Sequence, residues 1–218
     1  MNKEDKVKRI VEKVTNDAGL SPMSPPDYFN PPSKLEEIPF EKLPAAIQKL
    51  EKEHKEVLEY LNKFEETMQN FHNSNYHYTP DISKALSKFF EYLDKHIVAH
   101  HQKEEKHLFP LLVKYLIKSG EHSKYMSNND YETPIDLMED DHLKFIQVAS
   151  LIFNLLGIYV RIPDAASRNI IADIVYSKSI EMVELLRTHI YQEDNIVFPL
   201  CVKHLSEEEW QLVNKKIV

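Results

Sequence analysis

One stretch of this chain occurs twice. HHQKEEKHLFPLL at 100–112 aligns without gaps on HIYQEDNIVFPLC at 189–201, setting His100 against His189, Glu104 against Glu193, and Phe109–Pro110 against Phe198–Pro199. A histidine precedes each copy at nearly the same distance. His54, in LEKEHKEVLEYL, lies 46 residues before His100, and His142, in MEDDHLKFIQVASL, lies 47 before His189. The duplication predicts two equivalent halves, each made of one element carrying a histidine and a second carrying the spacing His-x3-Glu.

The elements are predicted to be helices. With 3 glycines in 218 residues, tight turns and glycine-rich phosphate loops are scarce, while helix formers abound. From about Phe40, the residues Ile47, Leu50, Leu58, Leu61 and Phe64 mark one face of a long helix ending near Asn70. Thr79–Pro80 is a helix start with threonine as cap and proline in the first turn. The stripe Leu86, Phe90, Leu93, Ile97 then continues to about Lys118, with Pro110 expected to kink or tighten the end. Thr133–Pro134 opens a third helix facing inward through Ile135, Met138, Phe145, Ala149, Ile152 and Leu156. Pro163–Asp164 restarts the chain for a fourth, carrying Ile171, Val175, Met182, Leu185 and Leu186, and Ser206 is placed to cap a short fifth. The fold class is all-α, an up-down-up-down four-helix bundle. Residues 1–38 read as an amphipathic helix (Val7, Ile10, Val11, Val14) on a proline-rich linker, 39–205 as the bundle, and 206–218 as a C-terminal helix.

His54, His100, Glu104, His142, His189 and Glu193 all fall where the apolar stripes require core side chains: between Leu50 and Leu58, after Leu93 and Ile97, between Met138 and Phe145, and after Leu185. Burying such groups without partners costs several kcal/mol per charge, against a total domain stability of about 5–15 kcal/mol. A bound cation is the expected compensation. Histidine and glutamate four apart stand one turn above each other, ~6 Å along the axis, so the carboxylate can bridge two ions while the histidine binds one. With Cys201 the only cysteine, neither a disulfide nor a thiolate-rich site can form, and nitrogen and oxygen donors suit iron or manganese, iron foremost in a dinuclear bundle.

These six residues, with KEEKHLFPLL and its echo QEDNIVFPLC, resemble the hemerythrin-like (HHE cation-binding) family over residues 45–205. The resemblance implies a centre of two iron ions, oxo- or hydroxo-bridged, held by the six side chains. Four histidines and two glutamates are most similar to the di-iron proteins that repair iron–sulfur clusters, whereas oxygen-carrying hemerythrins use five histidines with an HxxxH pair on the third helix. Here position 138, one turn before His142, is methionine. Repair proteins commonly begin with a small domain containing a cysteine pair, and residues 1–40 hold no cysteine. The implied function is a response to nitric oxide or oxidative stress in support of cluster repair, with damaged iron–sulfur proteins as partners. Dioxygen binding or redox sensing is the alternative, and a di-iron oxidase or peroxidase-like enzyme follows it.

The remaining histidines are expected elsewhere. His96 aligns with Leu185 and is expected to face inward as a core residue or an accessory donor, and His107 aligns with Ile196. His72, His77, His101, His122 and His204 read as surface residues, Glu105 and Asp194 as solvated groups or partners of the ligands, and the charge runs at 51–56 and 103–106 as solvated faces. A net charge of -8 without a Lys/Arg run argues against nucleic acid. A charged N-terminus and no run of about 18 uncharged apolar residues argue for a cytoplasmic protein without a membrane partner.

Overall fold

The computed structural model describes residues 38–120, 123–124 and 131–218. The expected N-terminal helix and its linker, Ile38 apart, lie outside the described residues, as does His122. After a single 3-10 turn at Phe40–Lys42, helix α1 spans Ala45–Asn73. Helix α2 occupies 80–119, α3 spans Pro134–Tyr159, α4 occupies 165–204 and α5 spans Glu207–Ile217. Two strands of two residues each, Ser123–Lys124 and Tyr131–Glu132, pair antiparallel in the α2–α3 connection.

The start signals act as their chemistry requires. Thr79 accepts from the Ile82 N–H at 3.3 Å, with Pro80 in the first turn where its missing N–H costs nothing. Thr133 donates its N–H to Asp136 at 2.6 Å, and Asp164 accepts from the Ser167 N–H at 2.7 Å. Ser206 and Glu209 form a reciprocal cap, Glu209 N–H to the Ser206 hydroxyl at 3.3 Å and Ser206 N–H to Glu209 at 2.9 Å. Replacing Ser206 by alanine should cost about 1 kcal/mol, read as a lower urea midpoint at unchanged slope. Gly120 ends α2 at φ 81, a left-handed conformation that glycine adopts without a side-chain penalty.

Neighbouring helices run antiparallel in a closed ring. Phe64 stacks on Phe89 across α1 and α2, Phe90 meets Phe153 across α2 and α3, His142 meets His189 across α3 and α4, and Arg187 reaches back from α4 to Glu65 of α1 at 2.5 Å. The apolar core falls into two clusters. One, around Leu61, Phe64, Phe89, Ile97, Phe145, Ile152, Met182 and Leu186, fills the end of the bundle near the α1–α2 turn. The other, around Ile47, Leu50, Phe109, Leu112, Met138, Phe198 and Cys201, fills the opposite end, where α5 adds Trp210, Val213 and Ile217. Leu58, Phe90, Ile171 and Leu185 of the expected stripes are only half-buried, at the margins of the first cluster.

Both repeat helices carry π turns. α2 widens at Leu93–Ile97 and again at Glu104–Leu108, and α4 widens at Glu193–Val197. In the last two, the glutamate carbonyl accepts from an N–H five residues on, Phe109 to Glu104 and Phe198 to Glu193. The disturbance expected at Pro110 takes the form of a wider turn just before the proline, not a tighter one. The ring of Pro110 or Pro199 would crowd the carbonyl four residues earlier, and the wider turn makes room. α3 is the one described helix apolar and long enough to cross a bilayer by length and composition, yet in this fold it packs along α4 and gives its inner face to the core.

Candidate metal centre

A polar layer separates the two apolar clusters, and it consists of the six side chains expected from the repeat. His54 lies between Leu50 and Val57, His100 and Glu104 between Ile97 and Leu108, His142 between Met138 and Phe145, and His189 and Glu193 between Leu186 and Val197. Each of the six is at most 3% exposed, and both glutamates are fully buried. No side chain among the six had to be brought from a loop; all are set by helix register.

The imidazoles form two pairs. Nε2 of His54 lies 2.9 Å from Nε2 of His100, and Nε2 of His142 lies 2.9 Å from Nε2 of His189. Their outer nitrogens meet carboxylates: His54 Nδ1 to Asp194 at 2.7 Å, His100 Nδ1 to Glu53 at 2.9 Å, His142 Nδ1 to Glu105 at 2.8 Å, and His189 Nδ1 toward Asp141 at 3.8 Å. A carboxylate accepts only, so it fixes the proton on Nδ1 and leaves Nε2 as an inward lone pair. Two lone pairs facing each other at such a distance repel unless a cation or a proton lies between them.

The glutamates complete each pair. Glu104 turns Oε1 toward His100 at 3.3 Å and Oε2 toward His142 at 3.6 Å, while Glu193 turns Oε2 toward His54 at 3.2 Å and Oε1 toward His189 at 3.1 Å. All four oxygens are buried and accept no hydrogen bond in the protein, although they lie within ion-pair distance of the rings. Native interiors rarely leave buried carboxylates in that condition, and a cation would satisfy them. One donor atom each from His54, His100, Glu104 and Glu193 falls within 4.8 Å of the others, a group able to hold a metal ion, and His142 and His189 belong to a second such group.

Without a cation the same charges act on protons. Burial disfavours charge on His54 and His189, yet Asp194 and Glu193 raise His54 to about 10, and Glu193, Asp141 and Glu104 raise His189 to about 10. His100 is likewise raised, to about 8, by Glu104 and Glu53 against its own burial. Glu193 resists its own desolvation and is held well below the usual carboxylate range by His189, His142 and His54. The signs give a pH test. Raised histidines stabilise the metal-free chain fully below about pH 6.5, and that stability is lost as pH rises through about 8 and then 10. The urea midpoint of metal-free protein should therefore fall from pH 6.5 to 10. Metal retention should show the reverse dependence, decreasing on acidification, because protons compete for the same Nε2 atoms.

Several partners were not legible in the sequence. Glu53 is not a solvated residue of a charge run: it bonds His100, pairs with Lys103 at 2.5 Å, and is lowered to about 2 by those contacts against desolvation. Phe198 stacks on His54 at 5.5 Å and Phe109 on His142 at 5.9 Å, so each Phe-Pro motif braces a histidine of the other half. His101 corrects the surface assignment. It is 5% exposed and lies flat against His142, ring centroids 3.7 Å apart. Burial first, and the neighbouring His142, His100 and His189, push it well below the ordinary histidine range. His96 corrects in the opposite sense: expected inward, it is exposed and stacked on Tyr92. His101 stands one turn after the buried Ile97, so an α-helical spacing of four already carries it inward, whereas His96 lies within the π turn at Leu93–Ile97. His72 and His77 are exposed as expected, while His107 and His204 are half-buried.

The model of the hemerythrin HHE cation binding domain matches residues 45–201, which contain all six side chains. The chain belongs to the hemerythrin HHE family. Among curated relatives of this HHE protein are the iron-sulfur cluster repair protein YtfE of Citrobacter koseri and that of Escherichia coli O81, each 29% identical over 120 residues, 55% of this chain and 48% of the relative. The same-named protein of Escherichia coli K12 is 28% identical over an equal span. This HHE chain thus spans about half the length of the curated relatives it matches.

Proposed function

We propose that this HHE protein holds two iron ions, one between His54 and His100 and one between His142 and His189, with Glu104 and Glu193 bridging them, and that it supports repair of iron–sulfur clusters under nitric oxide or oxidative stress. The observation that carries the reading is the division of the carboxylates, each glutamate presenting one oxygen to each histidine pair. A donor set of imidazole and carboxylate without thiolate suits iron, and four protein donors per ion leave coordination positions for a small molecule. Bound there, iron supplies one-electron chemistry and a Lewis-acidic position. The protein's own part is to hold the Nδ1 protons of His54, His100 and His142 through Asp194, Glu53 and Glu105, so that Nε2 stays available, to set Asp141 3.8 Å from His189 Nδ1, and to shield the layer with apolar side chains at both ends. The relatives' role as iron-sulfur cluster repair proteins, given by their name, favours cluster repair over other di-iron roles.

The test is recovery of a damaged iron–sulfur enzyme. Iron-loaded protein should restore its activity, and His100→Ala and Glu193→Ala should not. Equal restoration by metal-free protein would reject the reading. A second reading, reversible dioxygen binding, draws on a cavity of about 10 Å³ that abuts the centre and is closed on its other sides in part by Val57, Ile97, Leu186 and Ile190. Reduced protein exposed to oxygen separates the two: a stable, reversible charge-transfer band favours binding, and immediate irreversible oxidation counts against it.

A further inference from the structure

The two halves of the centre match at every ligand but not at the residue after the histidine. His101 follows His100, and its counterpart after His189 is Ile190. Both are buried, and both line the small cavity that abuts the centre. That cavity has the room of about one water. Its other walls are four of the proposed ligands, His54, His100, His189 and Glu193, and three aliphatic side chains, Val57, Ile97 and Leu186. His101 is therefore the one polar group in the wall, among the described residues, that the six-residue ligand set does not use.

Its orientation decides between two roles. A ring nitrogen of His101 comes within 4.8 Å of donor nitrogens of His142 and His189. The ring lies parallel to His142, with an interplanar angle of 7° and centroids 3.7 Å apart. Imidazole binds a metal through an in-plane lone pair at about 2.1 Å. Parallel rings stacked face to face direct those lone pairs side by side, so His101 and His142 cannot both converge on one ion. The same placement does suit a hydrogen bond from His101 to a molecule that occupies the cavity.

We infer that His101 hydrogen-bonds a small anion or diatomic molecule taken up in this cavity beside the centre, a role that Ile190, its counterpart in the other half, cannot share. Among the lining residues outside the ligand set, the hydrogen bond to an incoming molecule then comes from His101 alone. This rests on the two-iron reading above.

The experiment uses azide as the probe, titrated into oxidised, iron-loaded protein and followed by its charge-transfer absorption, with iron content assayed on every sample. His101→Phe keeps a ring stacked on His142 and removes both nitrogens. It should retain the wild-type iron content and bind azide about 10- to 100-fold more weakly, the loss expected for one hydrogen bond to a charged group. His101→Gln, which restores a donor, should recover most of that loss. His101→Leu makes the same comparison if the phenylalanine variant does not fold. Wild-type azide affinity in the Phe and Leu variants at full iron content overturns the inference. So does loss of half the iron, which would make His101 a ligand. A wild-type protein that takes up no iron pair overturns both this inference and its parent, and the iron assay identifies that case.

Discussion

Chelating the metal from loaded protein should lower its melting temperature by about 10 °C or more. Each ion bound only by the folded chain, at a thousand times its dissociation constant, adds about 4 kcal/mol, and in a chain of this size each kcal/mol moves the midpoint by about 2–4 °C. The structure gives the reason the dependence should be steep. The polar layer cuts the core in two, so the apolar clusters meet across five buried imidazoles, His101 included, and two buried carboxylates whose oxygens accept no hydrogen bond. With the cations removed, those groups keep the cost of burial and lose its compensation. The measurement is a thermal scan before and after chelation, with metal removal verified. Superimposable curves would contradict the linkage.

Replacing Glu104 by alanine should release both ions, whereas replacing His100 by alanine should leave about one per chain. Glu104 faces His100 with one oxygen and His142 with the other, so its loss removes a donor from each position. His100 Nε2 faces only the His54 side, 2.9 Å from its partner ring. Elemental analysis of the purified variants distinguishes the cases. Equal retention in the two variants would mean that the carboxylate does not bridge.

The repeat made the six candidate ligands legible because register does most of the placing. His54, His100, Glu104, His142, His189 and Glu193 sit at core positions of long helices, and a helix converts sequence spacing directly into direction. The caps at Thr79, Asp164 and Ser206 were legible for a similar reason, each being a local contact over three residues. Two histidines beside the stripe were misplaced: His101 is buried where a surface residue was expected, although it stands one turn after the inward Ile97, and His96 is exposed although its counterpart Leu185 borders the core. Of the partners of the outer nitrogens, Glu105 and Asp194 were among the sequence readings and Glu53 was not. Glu53 meets His100 across two helices, and long-range pairing of charged residues leaves no periodic trace, so Glu53 is indistinguishable in sequence from its exposed neighbours Lys52 and Lys55. Only the duplication hinted at the logic, since Glu105 and Asp194 each follow a ligand glutamate and each bond a histidine of the other half.

Anomalous diffraction at the iron edge from crystals of the iron-loaded protein tests the central claim most directly. The account predicts two peaks inside the bundle, one beside His54 and His100 and the other beside His142 and His189, with Glu104 and Glu193 between them. A single peak, or density at the surface with the six side chains unchanged, would contradict it.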